Sequence, residues 1–150
     1  MKLIRNIVFV LLQISWCLCQ NIVGALLFVG IPKHQPCFLY HKAFVRYWSL
    51  HYSMGMGNFV FLTDKHGRYA GTTTMPKEPY QTLQHEYGHT RQSLLLGPLY
   101  FFVIALPSAM WCGLPCCKRY RKNKQVSYYR FYTESWANRL SRLYFKDTKA

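Results

Sequence analysis

The string Gln84-His85-Glu86-Tyr87-Gly88-His89-Thr90-Arg91-Gln92-Ser93 contains H-E-x-x-H, and its surroundings suit a helix from about Pro79 to Leu96. Residues four apart on a helix share a face, so His85 and His89 can point at one metal ion. Imidazole nitrogens suit zinc, and Glu86, one step along, falls beside the open coordination position. There a carboxylate can take a proton from a zinc-bound water, whose pKa the metal lowers to about 7. That is the machinery of peptide-bond hydrolysis. Gly88 costs a helix about 1 kcal/mol relative to Ala, so local helix stability does not account for the string. Acids are scarce, five in the chain, yet one fills the required slot.

A catalytic zinc site needs a third protein ligand. His34, His41, His51, His66, Asp64, Glu78, Glu134 and Asp147 are all candidates by type. Glu134 stands out because Tyr132-Thr133-Glu134-Ser135-Trp136-Ala137-Asn138-Arg139-Leu140 reads as the start of a second amphipathic helix. Its spacing predicts Trp136, Leu140, Leu143 and Tyr144 on the inward face. Peptide hydrolysis also needs a group that stabilises the oxyanion. Tyr128, Tyr129 and Tyr132 are near enough to Glu134 in sequence to serve, with nothing to choose among them.

H-E-x-x-H followed downstream by E-x-x-A-[DN] resembles the gluzincin zinc peptidases, and most of all their membrane-embedded group, the CAAX prenyl proteases and heat-shock membrane proteases. Leu96-Gly97-Pro98-Leu99-Tyr100, Leu106-Pro107-Ser108 and Tyr132-Thr133-Glu134-Ser135-Trp136-Ala137-Asn138 also resemble short bacterial membrane proteins of uncharacterised role. The resemblance implies His85, His89 and Glu134 as ligands of Zn2+, with Glu86 as general base. Asn138 stands where those peptidases carry an Asp that orients the first histidine. Asn can accept one hydrogen bond there but brings no charge. The family also uses a strand before the zinc helix to align substrate, and Gly57-Asn58-Phe59-Val60-Phe61-Leu62-Thr63-Asp64 is a β-rich run ending in the turn-like Asp64-Lys65-His66-Gly67.

Two apolar stretches flank this machinery. Leu3 to Ile31 holds about 25 residues beyond Asn6, enough for a spanning helix of roughly 20. Lys2 and Arg5 resemble the front of a secretory signal, but the run continues past Gln20, which argues for an uncleaved anchor. Leu94 to Leu114 is apolar throughout, yet Pro107 would break or kink a single helix. If that stretch crossed the bilayer, His85 and Glu134 would sit on opposite sides of a core about 30 Å thick, whereas a zinc ligand bond is about 2 Å. A re-entrant hairpin at 94–115 removes the conflict. Lys and Arg counts agree: residues 32–93 carry seven and residues 116–150 carry ten, against two before the anchor. The bias places the site on the cytoplasmic face with the amino terminus outside, and the bacterial resemblance implies the inner membrane.

The expected fold is thus a mainly α membrane protein. Residues 1–31 form an N-terminal anchor helix, and residues 32–150 form a single zinc-peptidase-like domain. That domain comprises a small β element near 57–72, the zinc helix, the hairpin at 94–115 and a C-terminal Glu-bearing helix.

Composition bounds the partners. Hydrophobic residues make up 51% of 150, which excludes a disordered tail, and 19 Lys+Arg against 5 Asp+Glu give a charge of +14 that calls for an anionic partner. Lys118-Arg119-Tyr120-Arg121-Lys122-Asn123-Lys124, next to an apolar run, suits anionic lipid headgroups. No nucleic-acid reader motif accompanies it. Six cysteines have no zinc-ribbon spacing. The expected activity is hydrolysis of a protein or membrane-associated peptide by a small membrane-bound zinc metallopeptidase. The alternative is a non-catalytic membrane protein with a structural or regulatory zinc site.

Overall fold

The computed structural model describes residues 2–64 and 80–147. Two helices, α1 (Lys2–Ile14) and α2 (Leu18–Gly30), lead into four short strands. These are β1 (Cys37–Tyr40), β2 (Ala43–Trp48), β3 (Met54–Met56) and β4 (Phe59–Thr63). Four helices follow: α3 (Tyr80–Leu96), α4 (Leu106–Gly113), α5 (Pro115–Lys124) and α6 (Tyr132–Asp147). The protein is mainly helical with one mixed sheet of order β1-β2-β4-β3.

The sheet is larger and earlier than the β element expected near 57–72; residues 65–79 of that span lie outside the described residues. β1 and β2 form a hairpin through His41 and Lys42, and β2 runs parallel to β4. Alternation along the strands covers both faces. Ala43, Val45, Tyr47, Val60 and Leu62 pack with Leu83 and Tyr87 of α3 and Phe145 of α6. Trp48 and Phe61 turn the other way, toward Ile31, Tyr100 and Ile104. Arg46 also faces that side, where its guanidinium donates to the Phe28 and Pro32 carbonyls at 2.9 and 3.0 Å, tying the end of α2 to the sheet.

The single anchor helix expected over residues 1–31 is instead a pair, α1 and α2, bent by 81°, and among the described residues no single helix is long and apolar enough to cross a membrane. The polar residues of the run explain the bend, because they turn into the protein. The Asn21 amide donates to the Gln13 carbonyl and side chain, both at 2.7 Å, and the Asn58 N–H donates to Asn21 Oδ1 at 2.7 Å. Gln20 is fully buried and donates to the Gly97 carbonyl. A helix held by its polar side at these points cannot continue straight.

The stretch 94–115 also departs from the expected hairpin. Leu94–Leu96 complete α3, and the chain turns at Gly97, whose φ of +52° and contact with the Trp16 indole leave no room for a side chain. A π-helical turn, Phe101–Ala105, then runs directly into α4. Pro107 sits in the first turn of α4 and does not break the run. It has no N–H to offer Val103, one turn back, and the Tyr132 hydroxyl donates to that carbonyl at 2.6 Å. The sharp bend comes later, 71° between Phe101–Gly113 and α5, at Leu114.

Candidate metal centre

Helices α3 and α6 form the most extensive helix pair in the fold, and their closest approach sets the site. A Cβ on Gly88 would overlap the Ala137 backbone, so the missing side chain of Gly88 lets the two main chains touch. The buried face of α6 is therefore Thr133, Glu134, Ala137, Ser141 and Phe145. Of the inward face expected from Trp136, Leu140, Leu143 and Tyr144, Trp136 and Tyr144 do pack, partly buried, against the hydrophobic clusters, whereas Leu143 is 52% exposed. Two helices that pack main chain to main chain need small or polar residues in the seam, and the hydrophobic pattern points elsewhere.

One turn before and after that contact, the side chains converge. A ligand atom from each of His85, His89 and Glu134 lies within 4.8 Å of the other two. His85 Nε2 is 3.0 Å and His89 Nε2 is 3.5 Å from Glu134 Oε2. The three residues are 6, 6 and 1% exposed, and Glu86 beside them is 5% exposed. Of the other third-ligand candidates, His34, His41, His51 and Asp64 do not join the group; His66, Glu78 and the Asp147 side chain lie outside the described residues.

The outer atoms decide how the inner ones can act. His85 Nδ1 lies 2.9 Å from Asn138 Oδ1, and His89 Nδ1 lies 2.7 Å from Gln92 Oε1. With each Nδ1–H donated to an amide oxygen, each Nε2 faces inward, where it shares a proton with Glu134 or, once deprotonated, turns its lone pair to a metal. Gln92, fully buried, also donates from Nε2 to the Thr133 carbonyl at 2.8 Å, so it braces α6 as well. Glu134 Oε1 accepts from Ser108 at 2.5 Å and from Thr133 at 2.9 Å. Gln92, Ser108 and Thr133 stand in the motif-bearing strings, but the sequence assigns them no role; their contacts in the fold supply it.

Electrostatics follow from the same contacts. Burial alone would raise the Glu134 carboxyl, but bonds from His85, His89 and Ser108 hold it well below the usual carboxylate range. Burial disfavours a charged His85, yet the Glu134 bond and the Glu86 charge outweigh it and raise its pKa. Burial pushes the Glu86 carboxyl up, against the pull of His89 and His85.

All four residues border one cavity of about 620 Å³. Its walls are Met54, Gly55 and Met56 of β3 on one side and Ala105, Ser108 and Cys112 on the other. The edge strand over the site is therefore β3. The run expected to serve, Gly57 to Asp64, contains β4 (Phe59–Thr63), which has no free edge because β2 and β3 pair with its two sides. β3 lies directly on α3: a Cβ at Gly55 would stand 2.8 Å from that of His89, and the Gly55 carbonyl accepts from the buried Tyr100 hydroxyl at 2.7 Å. Tyr128 and Tyr129 line the cavity, with the Tyr129 ring edge-on to His85 at 5.0 Å between centroids, whereas Tyr132 is committed to Val103.

Two imidazoles and one carboxylate, buried together with their outer atoms already engaged, form a set that could hold a metal ion. Comparison with protein-family models, curated proteins and solved structures gives no match to this chain.

Proposed function

We propose that the chain is a small membrane-bound zinc metallopeptidase of gluzincin type that hydrolyses peptide bonds. The observation that carries this reading is the convergence of His85, His89 and Glu134 within 4.8 Å, with Glu86 beside them on one cavity. Two histidines and a glutamate are a known catalytic zinc set, and three protein ligands leave a fourth position open. The chemistry such an ion supplies when bound is a water acidic enough to act as nucleophile near neutral pH. Glu86, buried and reluctant to ionise fully, is suited to take up that proton and pass it to the leaving amine. Asn138 and Gln92 hold the imidazoles in the ligating tautomer, and the Tyr128 and Tyr129 hydroxyls are the candidates for oxyanion donors.

Membrane attachment is supported by a broad exposed apolar surface. It includes Ile7, Leu11, Ile22 and Leu26 on the first two helices and Phe102, Leu106 and Met110 on the later run. α5 continues from that run with Lys118, Arg119, Arg121, Lys122 and Lys124 and no acid, suiting anionic headgroups. The Lys and Arg excess on the site-bearing segments supports a cytoplasmic face. The substrate would be a protein or peptide reached at that surface.

A second reading, a structural or regulatory zinc site without catalysis, is favoured by Asn138, whose neutral amide leaves His85 less basic than a carboxylate would. Detergent-purified protein tests both. Wild type should carry stoichiometric zinc, lost in His85→Ala and Glu134→Ala. Glu86→Gln should keep the zinc and lose about 10²–10⁴-fold of casein hydrolysis. Undiminished hydrolysis by Glu86→Gln would sink the mechanism, and zinc without hydrolysis in wild type would favour the second reading.

A further inference from the structure

We infer that Ser108 is a positioning residue for the third ligand: its hydroxyl keeps Glu134 attached to a metal through one oxygen only. This rests on the metal centre proposed above. A carboxylate can ligate through one oxygen or two, and the choice decides how many positions remain for water and substrate. Here the two oxygens of Glu134 are already distinguished. Oε2 faces both imidazoles, at 3.0 and 3.5 Å. Oε1 is turned away and accepts from two hydroxyls, Ser108 at 2.5 Å and Thr133 at 2.9 Å. Two O–H donors fill the lone-pair directions of one carboxylate oxygen, so Oε1 has none left for a metal. Both bonds are charge-assisted and stronger than neutral ones, so rotating Oε1 into the site would break them.

The two donors differ in origin. Thr133 precedes Glu134 on α6, so its bond follows from the local helix start. Ser108 comes from α4, 26 residues earlier in the chain, and adjusts the carboxylate from outside the α3–α6 pair. The same helix presents Leu106 and Met110 outward on its exposed side. Ser108 therefore joins the ligand geometry to the seating of the apolar helix, and removing its hydroxyl leaves Thr133 as the one donor to Oε1, with a lone pair open to a metal.

The test uses full-length protein in detergent with cobalt(II) as the probe, read by affinity and by visible d–d absorption, which weakens as four-coordinate cobalt becomes five-coordinate. Wild type should bind cobalt with the intense four-coordinate spectrum. Ser108→Ala should bind about 10–100-fold more weakly, the range for losing a group that orients a ligand, with a weaker band as both oxygens engage. Ser108→Thr, which keeps a hydroxyl, should restore both readings. If Ser108→Ala does not fold, Ser108→Val, matched in shape to Ser108→Thr but without a hydroxyl, is read in the same way. A wild-type affinity and spectrum in the Ala or Val variant overturns the inference while leaving the metal centre standing. Wild type that takes up no cobalt overturns the metal centre itself.

Discussion

The main chain of α6 at Ala137 occupies the space a side chain on Gly88 would need, with the Ala137 carbonyl carbon 2.7 Å from the place a Cβ would take. The pair sits between His85 and His89 on one helix and between Glu134 and Asn138 on the other. Gly88→Ala would gain about 1 kcal/mol of helix propensity. It would lose more, because main chain cannot swing aside as a flexible side chain can, and overpacking costs about 1–3 kcal/mol. The expected net loss is up to about 2 kcal/mol, or up to several degrees in melting temperature for a chain of this size, with metal binding weakened as the helices part. A variant that melts at or above wild type and binds zinc normally would refute this role.

Gln92 holds both helices at once, through His89 Nδ1 and the Thr133 carbonyl, with no exposure to solvent. Gln92→Met fills the space but leaves a buried acceptor and a buried ring N–H without partners. A destabilisation of about 1–3 kcal/mol is expected, together with about 10–100-fold weaker zinc affinity. Denaturant titration and zinc competition measure the two effects separately. Loss of stability with unchanged zinc affinity would make Gln92 a brace and nothing more.

The metal-free protein should be most stable in mild acid. Glu134 is held below its ordinary pKa, so its contribution is present above about pH 4.3 and is lost as pH falls toward the lowered value. His85 is held above its ordinary pKa, so its contribution is complete below about pH 6.5 and fades as pH rises through the raised value. The raised Glu86 pKa costs stability already above about pH 4.3, since the folded state then holds its proton longer than the unfolded chain, so it tilts the optimum toward the acid end of the range set by the other two. The window of best stability is about pH 4.5–6.5. Zinc needs neutral imidazoles and stabilises only the folded state, so it should move the optimum upward. Melting curves across pH, with chelator and with zinc, read this directly; coincident optima would contradict it.

How much of this the sequence disclosed depends on distance along the chain. His85, Glu86 and His89 were legible because one helical turn brings them together, whereas Glu134 and Asn138 were singled out by the resemblance to the gluzincin motif. The β1–β2 hairpin was not, since its turn residues His41 and Lys42 take φ of +46° and +74° without the Gly or Asn that usually signals such a turn. The break at residues 15–17 has no Pro or Gly either, and comes from Gln13, Gln20 and Asn21 finding partners elsewhere. Ser108 acts on Glu134 from 26 positions away, which no local pattern records; Gln92 lies one turn from His89, and only its bond to Thr133, 41 positions away, is remote.

Pro107 and Tyr132 illustrate such a remote pairing, and a double-mutant cycle can isolate it. Tyr132→Phe removes the hydroxyl that serves the Val103 carbonyl, and in the wild-type background no N–H at position 107 can replace it. The cost should be about 0.5–1.5 kcal/mol, the usual net worth of one hydrogen bond. In a Pro107→Ala background the new N–H at 107 can reach Val103 across one turn, so the same Tyr132→Phe change should cost markedly less. The coupling between the two sites is then the part of the bond that proline makes necessary. Equal costs in both backgrounds would mean that Tyr132 holds α6 against the apolar run for a reason unrelated to the proline.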